Sequence, residues 1–493
     1  MSLNRRQILK ILMIAFLFAG TAMLIPLLFA LNIEDHRCAA AFGVLVPILF
    51  AAGLGCGYAH RKAPTRKKHI KPKDAYLSIA LGWLLVLFVC SLPYALSRHG
   101  YTLMDGWFES AAAWTTTGAT VLDLRSLPRT LLLWKAMNSW FGGMVLTTLT
   151  LTLFPRLGIA EQQITDNDFT GTTTGKLSPK LSSTLKISFA LYGVLTLISL
   201  FLLLPSGMRP FYAVLNAMTC VSTAGLIDIT GTSGAFLITP YIKFVLAVVA
   251  LLSSVNFLTY YYTYRRKFRL AREYYEVRFY FRILLAASLS MTLVLYVTGT
   301  YRTLPQAFGN ALVQTLSFSS TSGFVMGGIS HWPVFCEVVL LVCALIGGCS
   351  FSTASGMKVS RAMVFLKLMT RGVDKRIHPH STRAVNINGK AVPAKRASSI
   401  TVFIMLYILV FILGCILMGI ENQDMETTFT CVIASLTNTG TGFGKMASAN
   451  YSIFSGFGRF ISTLIMMTGR LEIYPMLLLL SKTFWASDHA RLA

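Results

Sequence analysis

Thr116-Thr117-Gly118-Ala119, Thr223-Ala224-Gly225-Leu226, Thr321-Ser322-Gly323-Phe324 and Asn438-Thr439-Gly440-Thr441 are four short polar segments, each reached from a stretch of membrane-like hydrophobicity and each carrying a glycine at its third position. The glycines lie 107, 98 and 117 residues apart, so the chain reads as four diverged copies of one unit. One such tetrad alone is an ordinary polar turn between helices. Four at a near-constant period can surround a single axis, which is what a cation filter needs. There, backbone carbonyls replace the water shell of a dehydrated ion, and glycine lets them point inward without a Cβ clash.

With 54% hydrophobic and 13% charged residues among 493, the chain holds more apolar sequence than a soluble core requires. Its long apolar runs match the helices of about 20 residues that cross a bilayer. The first run, residues 11 to 31, follows Arg5, Arg6 and Lys10 as the core of a signal peptide would. It exceeds the roughly 7 to 15 residues of such a core, and a second span follows at once, so a retained helix is expected. Nine scattered cysteines with no CxxC pair read as small buried hydrophobes.

The net charge of +25 is not spread as nucleic-acid binding requires. Residues 61–73, 265–282 and 371–396 each hold seven Lys or Arg, while 98–105, 299–303 and 419–424 hold at most one each. This asymmetry assigns the basic loops and both termini to the cytoplasm, against anionic lipid head groups.

The expected fold is an all-α polytopic membrane protein. Two extra helices, near 11–31 and 39–58, fill residues 1–62, and pore repeats follow at 70–160, 180–265, 280–370 and 396–485. Each repeat reads as helix, re-entrant helix, filter loop, helix. The outer spans fall at 75–96 and 131–154, 187–204 and 238–262, 283–297 and 332–368, and 400–419 and 457–480. The dips fall at 105–115, 210–221, 304–319 and 424–436, giving ten crossings in all. Dips of 11 to 16 residues are too short to cross, and backbone at that depth must line a wet cavity. Each dip ends at a tetrad, so the partial negative charge of its carboxyl end favours cations there. Threonine hydroxyls add oxygen ligands, and no carboxylate lies within the tetrads, which fits a weakly hydrated monovalent cation better than calcium or magnesium.

Two features lie beneath this expected filter. Gly347-Gly348-Cys349-Ser350-Phe351-Ser352-Thr353-Ala354-Ser355-Gly356 splits the span 332–368 into apolar halves each too short to cross. Close helix packing explains Gly347 and Gly348, but ten residues with three glycines, three serines and a threonine exceed that need, so a flexible gate loop is expected. Arg470 falls mid-span, where a charge costs about 2.5 to 3.5 kcal/mol. It reads either as a fixed cation opposing ion passage or as one half of a structural contact, and Glu472, two residues on, cannot face it on a helix. The expected role of Glu109 is to brace the pore. The spans carry no convergent carboxylates, histidines or cysteines as an enzyme needs, and no inverted repeats as an organic-solute carrier would show.

These residues resemble the Trk/Ktr/HKT superfamily of potassium transporters, most closely its bacterial Trk branch, over nearly the whole chain. The resemblance rests on Asp105-Gly106-Trp107-Phe108-Glu109-Ser110 leading to Thr115-Thr116-Thr117-Gly118-Ala119-Thr120, on Trp140-Phe141-Gly142-Gly143-Met144, on 347–356 continuing through Met357 and Lys358, and on Gly469-Arg470-Leu471-Glu472. The two leading helices point to the Trk branch over Ktr. Phe351 and Ser355 stand where the family usually has glycine, and Thr441 where the Trk branch often has proline.

The resemblance implies potassium uptake across the inner membrane, a pore within one polypeptide, a homodimer, and a cytoplasmic TrkA-type regulatory subunit. That subunit, not this chain, would carry a nucleotide, NAD or ATP/ADP. Gly118 implies potassium over sodium, because serine at this place accompanies sodium entry in related proteins. One filter glycine per copy implies looser selectivity than in classical potassium channels. Sodium- or proton-coupled symport is the alternative.

Overall fold

The computed structural model describes residues 5–62, 72–152, 181–227, 238–269, 275–325, 329–379, 385–387 and 390–480. The predicted end of the 131–154 span, the basic stretches 63–71, 270–274 and 380–384, and the tail beyond 480 lie outside them.

Helices α1 (Arg5–Asn32) and α2 (His36–Lys62) form a hairpin that packs on the first repeat. The repeats then follow in order. The first comprises α3 (Pro72–Leu96), α4 (Leu103–Trp114) and α5 (Arg129–Thr152). The second comprises α6 (Leu181–Leu203), α7 (Pro210–Val221), α8 (Pro240–Ser254) and α9 (Phe257–Tyr264). The third comprises α10 (Tyr275–Val297), α11 (Leu304–Ser319), α12 (Val334–Ile346) and α13 (Val359–Ile377). The fourth comprises α14 (Ala394–Gly419), α15 (Met425–Leu436), α16 (Gly456–Arg470) and α17 (Tyr474–Leu480).

The short pore helices α4, α7, α11 and α15 start on signals written in the chain. Thr102 and Asp105 make a reciprocal capping box at α4, Pro210 and Pro305 open the first turns of α7 and α11, and Asp424 accepts from the Thr427 N–H at α15.

Among the described residues six helices are long and apolar enough to cross a membrane: α1, α2, α3, α6, α10 and α14. Each leaves large apolar side chains outward, among them Leu28, Leu54, Phe201, Leu293 and Ile416, as lipid contact requires. The closing helices of the repeats fail that test or break, and they carry buried polar or charged side chains. α5 carries buried Lys135 and Asn138, and α16 carries buried Arg470.

Three expectations are corrected here. The span 238–262 is not straight: α8 and α9 meet at 88°. The Asn256 side chain caps α9 by accepting from the Leu258 N–H, and the last carbonyls of α8 are taken by another segment, described below. The span 457–480 also breaks after Arg470, where Glu472 and Ile473 adopt left-handed φ of 58° and 65°. Lastly, among the described residues the all-helical expectation holds except for a two-residue antiparallel pairing, Asn386–Ile387 with Lys390–Ala391, within a basic connection.

A carboxylate fixes the start of α16. Glu421 accepts from the Ser455 hydroxyl and N–H and from the Gly458 N–H at 2.5–2.9 Å. Burial pushes its carboxyl up, but these bonds outweigh burial and hold it below its usual value.

Candidate functional site: a ring of four glycine loops above an intramembrane loop

All four pore helices end in the same local closure. The first tetrad residue, Thr116, Thr223, Thr321 or Asn438, takes a left-handed φ of 52° to 59°. Its N–H returns to the helix carbonyl of Ala113, Cys220, Phe318 or Ser435, and the next N–H returns to Ala112, Thr219, Ser317 or Ala434. This is the paired closure that usually ends on glycine. Three β-branched threonines in that conformation are genuine outliers, each costing roughly 1–3 kcal/mol, and such strain gathers at functional sites. The third residue, Gly118, Gly225, Gly323 or Gly440, is again left-handed, at 66° to 84°.

The glycines also reveal the ring. A Cβ built on Gly118 would fall on the Ala224 carbonyl, one on Gly225 on that of Ser322, one on Gly323 on that of Thr439, and one on Gly440 on that of Thr117, all within 3.0 Å. The contacts run from the first repeat to the second, third, fourth and back, so the four loops close a circle in chain order. Repeats one and three therefore face each other across it. Asn438 crosses the last junction by donating from Nδ2 to the Thr117 hydroxyl at 3.0 Å.

Counting acceptors divides this ring into two zones. The N–H groups of the first two residues of each tetrad, and those of Gly118, Gly323 and Gly440, are spent on their own pore helices. Among the described residues nothing donates to the carbonyls of Thr116, Thr117, Thr223, Ala224, Thr321, Ser322, Asn438 and Thr439, eight oxygens on residues at most 5% exposed. Buried carbonyls left without protein donors are rare, and eight in one ring make a ready cation cage. The outer layers are partly engaged. Thr441 donates its hydroxyl to the Gly323 carbonyl, Ser317 to that of Phe324 at 2.7 Å, Lys135 to that of Ala119 at 3.1 Å, and Cys220 contacts that of Gly225 at 3.6 Å. The Leu226 carbonyl accepts nothing among the described residues.

Residues 347–356 lie against the inner side of this ring. The Ser355 N–H donates to the Thr321 hydroxyl at 2.8 Å, and the Thr223 hydroxyl donates to the Thr353 carbonyl at 3.1 Å. The strained first-position threonines of repeats two and three thus hold the loop directly.

The loop was expected to be flexible; instead it is fastened on several sides. Its neck is closed, with the backbones of Gly347 and Gly356 in contact. The N–H groups of Cys349 and Thr353 satisfy the Ser254 and Ser253 carbonyls at the end of α8, and the Phe351 carbonyl accepts from Phe257 N–H at the start of α9. This is the physical reason α8 stops where it does. Ser350 N–H reaches the Glu276 carboxylate at 2.6 Å, Ser352 turns back onto the Cys349 carbonyl, and Lys358 donates to the Ala354 carbonyl.

Arg470, 1% exposed, completes the arrangement. One terminal nitrogen donates to the Thr353 carbonyl at 3.1 Å and to the Ser355 hydroxyl at 2.5 Å. Its Nε and other terminal nitrogen have no partner among the described residues. Among the described residues no carboxylate forms an ion pair with it. Glu472 is engaged instead by Arg361 at 2.6 Å, and Arg361 also stacks on Phe403.

Several participants were not legible as such: Ser253, Ser254, Asn256, Glu276 and Lys135. A Ser-Ser-Val-Asn sequence inside an apolar run and a lysine inside a span were the available signals.

Four helical repeats, each ending its short inner helix in a glycine-bearing loop, with the four loops closing one ring, are the architecture of a polytopic membrane protein. The chain belongs to the TrkH family of cation transport proteins, whose model matches residues 46–488. It is 30% identical to the Trk system potassium uptake protein TrkH of Vibrio parahaemolyticus, over 98% of this chain and 99% of that one. It is also 30% identical to TrkH of Escherichia coli K12, over 96% and 97%, and 29% identical to TrkG of that strain, over 94% and 96%. The crystal structure of the Vibrio parahaemolyticus potassium transporter TrkH superposes with a TM-score of 0.86 at 28% identity, covering 98% of this chain and 99% of that one.

Proposed function

We propose that the chain carries out potassium uptake, with Thr116 to Ala119, Thr223 to Leu226, Thr321 to Phe324 and Asn438 to Thr441 as the filter. The observation that carries this reading is the set of eight unengaged carbonyls on the two inner layers of the ring. Neutral oxygens in that number suit a cation that gives up its water cheaply, and the absence of a carboxylate in the tetrads disfavours divalent ions. Full-length relatives named as potassium uptake proteins support the same cargo.

The loop 347–356 acts as the gate, held shut by Thr223, Thr321, Ser253, Ser254, Glu276 and Arg470. A membrane potential supplies about 2.3 kcal/mol per 100 mV per charge, enough to accumulate cations without a chemical partner. Purified protein in a planar bilayer should therefore show a reversal potential that follows the potassium gradient. A reversal potential that follows the proton or sodium gradient overturns passive conduction in favour of symport.

The protein acts in the cytoplasmic membrane as a homodimer, with both termini inside, and a cytoplasmic nucleotide-binding subunit of the TrkA type sets the gate. Support comes from the basic face that includes Arg265, Arg266, Lys267 and Arg269. Reversing those four charges should cut co-purification with the regulatory subunit at least tenfold while uptake by the membrane protein alone persists. Intact co-purification would return these residues to lipid contact.

A further inference from the structure

The fourth carbonyl of the first tetrad is held by a charge, a feature the filter reading does not require. Lys135 on α5 is 4% exposed and donates both to the Ala119 carbonyl at 3.1 Å and to the carboxylate of Glu109, itself fully buried on α4. Glu109 in turn accepts from the Thr120 hydroxyl at 2.6 Å and from the N–H groups of Val121 and Leu122 at 2.8 and 3.3 Å. One carboxylate thus gathers the chain leaving the tetrad, and one ammonium joins that carboxylate to the tetrad.

The other repeats fasten the same strand with neutral groups. Asn216, like Glu109 six residues before its helix cap, accepts from the Ile227 N–H at 2.8 Å. Ser317 donates to the Phe324 carbonyl, and Thr430 accepts from the Phe443 N–H at 3.1 Å. A neutral glutamine at 109 could accept from Val121 and Leu122 equally well. The charges therefore do something the strand bonds do not require. A lone carboxylate beside the filter would offer an anionic oxygen that favours smaller, harder cations. Lys135 cancels it and, by a charge-assisted bond, draws the Ala119 carbonyl off the axis. The facing repeat loses its Phe324 carbonyl to Ser317. Repeats two and four keep theirs, since Leu226 and Thr441 carbonyls accept nothing among the described residues.

Building on the filter reading, we propose that Glu109 and Lys135 are a positioning pair that sets cation discrimination at the outer end of the filter, by restricting that layer to the carbonyls of repeats two and four. Entering ions meet a two-oxygen layer before the eight-oxygen cage. A small, strongly hydrated ion then sheds water with little return, while a weakly hydrated one passes.

The test uses the full-length protein in liposomes, reading initial rubidium uptake and its inhibition by external sodium. The variant Glu109→Gln with Lys135→Met keeps an acceptor for Val121 and Leu122 and frees the Ala119 carbonyl. Its rubidium uptake should stay within about threefold of wild type while sodium inhibits at least tenfold more strongly. Glu109→Gln alone, which leaves an uncompensated ammonium beside the path, should lower uptake at least tenfold, and adding Lys135→Met should restore it. Unchanged sodium inhibition in the folded double variant overturns the proposal and leaves the pair a fold element. Should that variant not fold, Lys135→Arg carries the same test, because the guanidinium keeps Glu109 paired but cannot place a single ammonium on Ala119. Unchanged sodium inhibition there overturns the proposal equally. Gly118→Ser in the same liposomes separates the two readings. If it alters discrimination and the pair does not, only the pair's role fails; if neither does, the filter assignment fails.

Discussion

Replacing Arg470 with alanine should raise partner-free cation flux about tenfold to a hundredfold, and deleting Ser350 to Ser355 should raise it at least as much. Two effects act through Arg470. It donates to the Thr353 carbonyl and the Ser355 hydroxyl, and hydrogen bonds from a charged group contribute about 1.5–3 kcal/mol each. On the proposed reading it is also a fixed positive charge under the filter. A unit charge about 8 Å from a cation costs about 2 kcal/mol at an effective dielectric of about 20, or about thirtyfold in rate.

The deletion is feasible because the neck is already closed: Gly347 and Gly356 touch, so Gly348 and Cys349 can bridge them without moving α12 or α13. Since Arg470 acts on the segment the deletion removes, the double variant should fall well short of the product of the two effects. Initial rubidium uptake by wild type, both single variants and the double variant in partner-free vesicles, at matched protein amounts, checks this. Flux that falls in both single variants, with folding intact, would mean that these groups build the path rather than close it.

Gly118→Ser should lower the preference for potassium over sodium at least tenfold. The added Cβ falls on the Ala224 carbonyl, part of the cage, and Gly118 already sits at φ 73° where side chains are disfavoured. The repeats should rank by that clearance. A Cβ on Gly323 or Gly440 would meet the carbonyl of Thr439 or Thr117 as closely as one on Gly118 meets that of Ala224, whereas one on Gly225 would lie 2.8 Å from the Ser322 carbonyl. Gly225→Ser should therefore be the mildest of the four. Growth of a potassium-uptake-deficient host at limiting potassium, with and without added sodium, reads both the loss and the order. Equal tolerance at all four glycines would contradict a ring of converging carbonyls.

Local chemistry explains how much was legible beforehand. Apolar runs give helices, Thr-x-x-Asp, Pro and Asp-x-x-Thr start the pore helices, and each tetrad closes its own helix through bonds reaching no more than six residues back. Such features depend only on neighbouring residues, so four copies could be read one by one. The interrupted span at 347–356 and the mid-span Arg470 were visible for the same reason, as departures from an apolar pattern.

What joins distant segments was not. Whether Ser253 and Ser254 end a helix depends on N–H groups about a hundred residues away in the loop. The break after Arg470 was likewise invisible in an apolar run. Lys135 reads as a costly charge in a span until Glu109 and the Ala119 carbonyl are brought to it, and Arg470 could have paired with any carboxylate in the bundle. By itself the sequence determined four membrane repeats, each with its own glycine-bearing tetrad after a short helix, because those structures are built from short-range backbone bonds. Only the tertiary structure decided the order of the ring, which carbonyls stay unengaged and what holds the loop beneath them, because in a buried interior each donor takes whichever acceptor the packing brings within reach.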